Sequence, residues 1–147
     1  MTLIPADLRL ALNVNGHASR IQRARERAFD PWPVVKFFNP IGAATWLATE
    51  IDSDGDTLFG LADLGFGCPE LGCFSLAEIA AVRLPFGLAI QRDACFDPLG
   101  PLSDWTETAR RLGSIRLAEK ALLRRKLDRL LPDPPPGADR PGGGAGS

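Results

Sequence analysis

Residues 45–64, TWLATEIDSDGDTLFGLADL, constrain this chain more than any other stretch. Two runs rich in β-branched and aromatic residues flank an Asp-Gly pair, Asp54 and Gly55. Such runs read as strands, and Asp-Gly between them is a strong hairpin signal because a two-residue type I′ turn needs positive φ at both central positions. A turn at Asp54-Gly55 opposes Ile51 to Leu58, Thr49 to Gly60 and Leu47 to Ala62 on an apolar core side. The other side then pairs Trp46 with Asp63, Ala48 with Leu61, Glu50 with Phe59 and Asp52 with Thr57. Because side chains alternate faces, that register decides which residues are free to meet a partner. A calcium loop is the competing reading, since Asp52, Asp54, Asp56 and Asp63 fall at the first, third, fifth and twelfth positions. Three features oppose it: the glycine is fourth rather than sixth, the last ligand is Asp rather than Glu, and the flanks are strand-like. The turn reading is preferred.

Around this hairpin the pattern is mixed. Pro5 suits the first turn of a short helix through Ala6 to Leu12, and NVNG (13–16) reads as its stop. The arginine-rich SRIQRARERAF (19–29) is either an exposed helix or a connector, and the prolines of DPWP (30–33) end it. VVKFF (34–38) is a further strand, GFGCPELGCF (65–74) a glycine-rich crossing with a short extended piece, and LAIQRDACF (88–96) another strand. Ser75 with Glu78 forms a capping box for SLAEIAAVR, Ser103 is expected to cap DWTETARRL, and Gly113-Ser114 separates that helix from RLAEKALLRRKLDRLL (116–131). PDPPPGADRPGGGAGS (132–147) is a Pro/Gly-rich tail expected to be disordered. The expected architecture is α+β, a small twisted and mainly antiparallel sheet with flanking short helices and a C-terminal amphipathic helix. Its parts are a compact domain over 1–112, a basic helical extension over 113–131 and the tail.

The formal charge of -1 hides a segregation. Residues 1–36 carry six Lys/Arg against three Asp/Glu (6 − 3 = +3), residues 37–101 two against nine (2 − 9 = −7), and residues 108–131 eight against two (8 − 2 = +6). An acidic middle points to a basic protein surface as partner, and the basic helix leaves nucleic-acid contact as an alternative. That helix lacks interleaved aromatics and contains Glu119 and Asp128, so docking on the acidic domain or on a second chain is preferred.

Chemistry-bearing constellations are sparse. Cys68, Cys73, Cys95 and His17 lack the close ligand pairs of a structural zinc site, and no other cofactor is expected. Gly60, Gly65, Gly67 and Gly72 are followed by no Lys-Ser/Thr, so they form no phosphate loop. Neither an export signal nor an apolar run of about 20 residues is present, and a cytoplasmic location without membrane contact is expected. The candidate binding surface is the side bearing Trp46, Glu50, Phe59 and Asp63, extended by Phe66 and Glu70, where aromatic anchors meet carboxylates. A helix covering that side is the competing structural reading. Glu50, Asp63 and Glu70 as a metal-assisted hydrolase or nuclease is the enzymatic one.

KFFNP (36–40), TWLATEID (45–52), FGLADLGFGCPELG (59–72), SLAEI (75–79), GLAIQRD (87–93) and PLSDW (101–105) together resemble the bacterial family called domain of unknown function 2958. The resemblance covers residues 1 to about 112. It implies a small α+β domain carried on plasmids and other mobile elements. Some members are discussed as inhibitors of CRISPR nucleases, and no enzymatic activity carries over. This chain has Cys73 and Phe74 where the family pattern has a tyrosine after PELG, and its basic helix and tail extend beyond the shared blocks. The expected function is a non-enzymatic, anti-defence protein-binding module acting through an acidic face.

Overall fold

The computed structural model describes residues 3–137. Five antiparallel strands form one sheet: β1 (Val35–Phe38), β2 (Thr45–Ile51), β3 (Thr57–Asp63), β4 (Glu70–Ser75) and β5 (Gln91–Arg92), ordered β4-β3-β2-β1-β5. Helices α1 (Ala6–Ala24) and α2 (Leu76–Ala81) cover one face, and α3 (Leu102–Leu112) and α4 (Ile115–Leu130) the other. The α+β expectation therefore holds. Two apolar clusters sandwich the sheet. Leu12, Val35, Phe37, Ala48, Ile51, Leu58, Leu76 and Ile79 pack on the α1/α2 side, while Leu47, Leu61, Trp105, Ala109, Ile115, Ala118 and Leu122 pack on the α3/α4 side. No helix among the described residues is long and apolar enough to cross a membrane.

The central hairpin forms, with two differences. Its connection is a four-residue loop rather than a two-residue turn: the Asp52 amide donates to Thr57 O at 2.8 Å, and the Gly55 amide donates to Asp52 O at 3.0 Å. Only Gly55, at φ 73°, needs the left-handed region, so glycine is required at one position rather than two. The loop keeps the same centre, so Ile51↔Leu58 and Glu50↔Phe59 pair as expected. Beyond them the register slips by one at Thr49, giving Ala48↔Gly60, Leu47↔Leu61, Trp46↔Ala62 and Thr45↔Asp63. This is a β-bulge. A Cβ on Gly60 would lie 1.8 Å from Leu47 O, so the bulge exists because β3 offers no side chain at that point.

α1 runs through NVNG instead of stopping there. β1 pairs with β2 only as far as Val35↔Ala48, and the Thr49 and Ile51 carbonyls beyond that point meet α1 instead. Asn15 Nδ2 donates to Thr49 O at 2.9 Å, and a Cβ on Gly16 would lie 2.3 Å from Ile51 O. Gly16 is thus a close-approach residue inside a helix, where its propensity cost of about 1 kcal/mol is offset by packing. The strand expected over 88–96 shrinks to Gln91–Arg92, because Asp93 turns the chain by accepting the Cys95 amide at 2.9 Å. α3 begins one residue before Ser103, which caps nothing. Asp30 supplies the acceptor instead, taking the Ser103 amide at 3.0 Å and the Ser103 hydroxyl. The capping box at Ser75 and the break at Gly113-Ser114 form as read, with Ser114 accepting the Leu117 amide at 3.2 Å.

α4, set apart in the sequence as an extension, docks on the sheet through Ile115, Ala118 and Leu122. Lys36, on the same face of β1, donates to Glu119 at 2.9 and 3.1 Å and lies 3.5 Å from Asp93. Within the expected tail, residues 132–137 carry no helix or strand, and the remainder lies outside the described residues.

Candidate functional site

The bulge separates the residues that the sequence placed together. Phe59 and Asp63 stand on the α3/α4 face and Glu50, paired with Phe59, meets the last turns of α1, while Trp46 turns to the opposite face and packs half-buried against the first apolar cluster. A one-residue slip moves every residue beyond it to the other side. Asp63 is only 2% exposed and is a fastener. Its Oδ1 accepts the Gly65 amide at 2.8 Å, and its Oδ2 accepts the Ile115 amide at 3.0 Å, which pins the positive end of α4 to the end of β3. Phe66 stands 83% exposed at the tip of the β3–β4 loop, and Glu70 opens β4 beside Arg110.

Most of the acidic middle is consumed the same way. Asp54 accepts the Asp56 and Thr57 amides at 2.8 Å and the Thr57 hydroxyl at 2.6 Å, and these bonds hold its carboxyl below the usual range. Asp56 accepts the Ala77 amide at 2.7 Å and the Ser75 hydroxyl at 2.6 Å, capping α2. Asp52 faces Arg20 at 3.5 Å, Asp93 faces Lys36, and Asp97 faces Lys126 at 2.5 Å. Of the nine carboxylates in residues 37–101, Glu70 and Glu78 alone have no hydrogen-bond or charge partner of this kind among the described residues. Three of these carboxylates meet cations from the basic segments, and Asp54, Asp56 and Asp63 are spent on main-chain amides and hydroxyls.

Two of the expected residues do share a recess. Glu50 and Phe59 line a cleft of about 180 Å³ with Ser19, Arg20, Arg23, Asp52 and Cys73. Burial raises the Glu50 carboxyl above its ordinary value, and the Ser19 hydroxyl together with Arg23 and Arg20 only partly offsets that. Phe59 also floors an adjoining groove of about 590 Å³, walled by Phe29, Leu71, Leu102, Glu107 and Arg110. Leu71 and Arg110 continue into a third recess with Cys68 and Glu70. The three form one surface running along β4. β4 pairs only with β3, so its outer edge is unpartnered, and Leu71 is 40% exposed. Sequence reasoning missed Phe29, Leu71, Cys73, Arg23 and Arg110. The alternation of Leu71 and Cys73 in ELGCF was the available signal for the β4 face.

Glu50, Asp63 and Glu70 do not converge, since Asp63 lies beneath α4, Glu50 against α1 and Glu70 beside Arg110. No group of three His, Cys, Asp or Glu side chains among the described residues is placed to hold a metal.

An antiparallel sheet with helices on both faces and an open edge strand beside a part-apolar groove is an α+β domain. The chain belongs to the family described as "Protein of unknown function (DUF2958)", whose model matches residues 3–116. The match ends just inside α4. Neither a curated protein nor a solved structure matches the chain.

Proposed function

We propose that this chain is a protein-binding module rather than an enzyme, and that it takes an extended segment of its partner along β4. The carrying observation is the unpaired edge of Glu70–Ser75 beside a groove floored by Phe59 and Leu71. Main-chain bonds to the edge supply affinity, and the pockets beside it read alternate side chains of the added strand. Three arginines (Arg20, Arg23, Arg110) and five carboxylates (Asp30, Glu50, Asp52, Glu70, Glu107) line the surface along β4. That balance fits a partner segment of mixed charge better than a uniformly basic surface. An anti-defence role on a mobile element, as the family resemblance implies, would then act by occupying a strand-forming segment of a nucleic-acid-binding protein, not by imitating nucleic-acid charge.

The test is capture from the source cell's lysate with tagged wild type, Leu71→Lys and, as a control on the outer face of α1, Leu10→Lys. A cation on an edge strand opposes strand addition. The reading expects a protein held by wild type and Leu10→Lys and lost with Leu71→Lys. Recovery of nothing, or of the same protein with all three, counts against it.

A further inference from the structure

α4 carries two stripes. Ile115, Ala118 and Leu122 are buried against the sheet and α3. A second stripe, Arg116, Lys120, Leu123, Leu127 and Leu130, advances by alternate steps of four and three residues and is exposed along its whole length. Leu123, Leu127 and Leu130 are 42%, 51% and 70% exposed. Steps of four and three are the seam of a coiled coil, and one helix of a pair cannot bury such a seam alone. Leu117 and Leu131 flank it, also exposed at 46% and 66%.

The charge in the first half of the stripe, Arg116 and Lys120, with Arg124 beside it, selects the occupant. None of these three is in an ion pair among the described residues. Of the two acids of the helix, Glu119 is held by Lys36 at 2.9 Å, and Asp128 lies one turn beyond Arg124, which leaves Arg116 and Lys120 as the cations without an acid of this helix to answer them. A second copy packed in parallel would set Arg116 and Lys120 against themselves. Packed antiparallel, it would set them against the leucine end. We infer that this seam docks an acidic amphipathic helix of a partner protein, whose apolar residues cover Leu123, Leu127 and Leu130 while carboxylates face Arg116 and Lys120. The surface is separate from the β4 groove and does not depend on that reading.

The test uses the full chain and a fluorescein-labelled synthetic helix of about three heptads, with Leu at the seam positions and Glu beside them. Anisotropy at physiological salt is expected to show saturable binding, with a matched Leu/Lys helix failing to bind. Leu127→Glu weakens it about tenfold or more. The double substitution Arg116→Glu, Lys120→Glu shifts preference toward the Leu/Lys helix. Both variants change solvent-exposed positions and keep the wild-type melting curve, while Leu71→Lys leaves helix binding unchanged. Absence of saturable binding, or equal binding of both helices, overturns the inference. So does self-association of the chain that Leu127→Glu abolishes, which assigns the seam to a second copy. Tighter binding to phosphatidylserine vesicles or duplex DNA than to the acidic helix, sensitive to the same substitutions, also overturns it.

Discussion

Replacing Asp63 by alanine removes the acceptor for two amides at once. One belongs to Gly65 in the β3–β4 loop and the other to Ile115 at the start of α4, and the carboxylate between them is 2% exposed. Hydrogen bonds to a charged acceptor contribute about 1.5–3 kcal/mol each, and a buried donor left unsatisfied forfeits its full desolvation. Two bonds give about 3–6 kcal/mol, and relief from burying a charge brings the expectation to the lower end, about 3 kcal/mol. Against a domain stability of about 5–15 kcal/mol that is a large fraction. With a urea slope of about 2 kcal/mol/M the unfolding midpoint falls by about 1.5 M. Asp63→Asn keeps one acceptor oxygen but turns an NH₂ toward the other amide, so it loses about 2 kcal/mol. Native-state hydrogen exchange gives the local readout, because the Ile115 amide should lose protection more than amides of β1. A loss below about 1 kcal/mol with unchanged exchange at Ile115 would refute the assignment of Asp63 as a fastener.

Three further outcomes follow from the packing. Gly16→Ala forces a Cβ to 2.3 Å from Ile51 O, a main-chain atom that cannot swing away, so α1 must lift and chemical unfolding should show a loss of about 1–3 kcal/mol. For Glu50 the folded carboxyl sits above its ordinary value, chiefly through burial, so the folded state binds more protons than the unfolded one between the two pKa values, and stability falls as pH rises through that window. Glu50→Gln should therefore raise the melting temperature slightly at pH 7, with the gain vanishing once the medium is acidic enough to protonate wild-type Glu50. Lys36→Ala strands Glu119 and Asp93, and a double-mutant cycle with Glu119→Ala should return a coupling of about 1–2 kcal/mol, reduced from the fully buried case because Glu119 is 30% exposed.

The fold class and the hairpin centre were legible because they rest on local patterns: alternation, Asp-Gly, Ser75 with Glu78, and Gly113-Ser114. What escaped was set across the sheet. The bulge at Thr49 depends on Gly60 in the neighbouring strand, and no period within TWLATEI reports it. That single residue sent Trp46 to the far face and dissolved the expected cluster. Gly16 looked like a helix stop because a glycine that permits close approach and one that caps a helix are identical in sequence. The cap of α3 comes from Asp30, distant along the chain, so Ser103 drew the assignment by proximity. The acidic middle was read as a surface because counting charges does not show their partners. Arg20, Lys36 and Lys126, from the basic segments, pair with Asp52, Asp93 and Asp97, and amides and hydroxyls take up Asp54, Asp56 and Asp63.

The central claim, that β4 receives a partner strand, is tested most directly by amide hydrogen exchange on the captured complex. Outward amides of Glu70–Ser75 should exchange freely in the isolated chain and become protected on binding, while the core amides of β2 stay as they are. Protection confined to other elements, with β4 exchanging equally in both states, would contradict it.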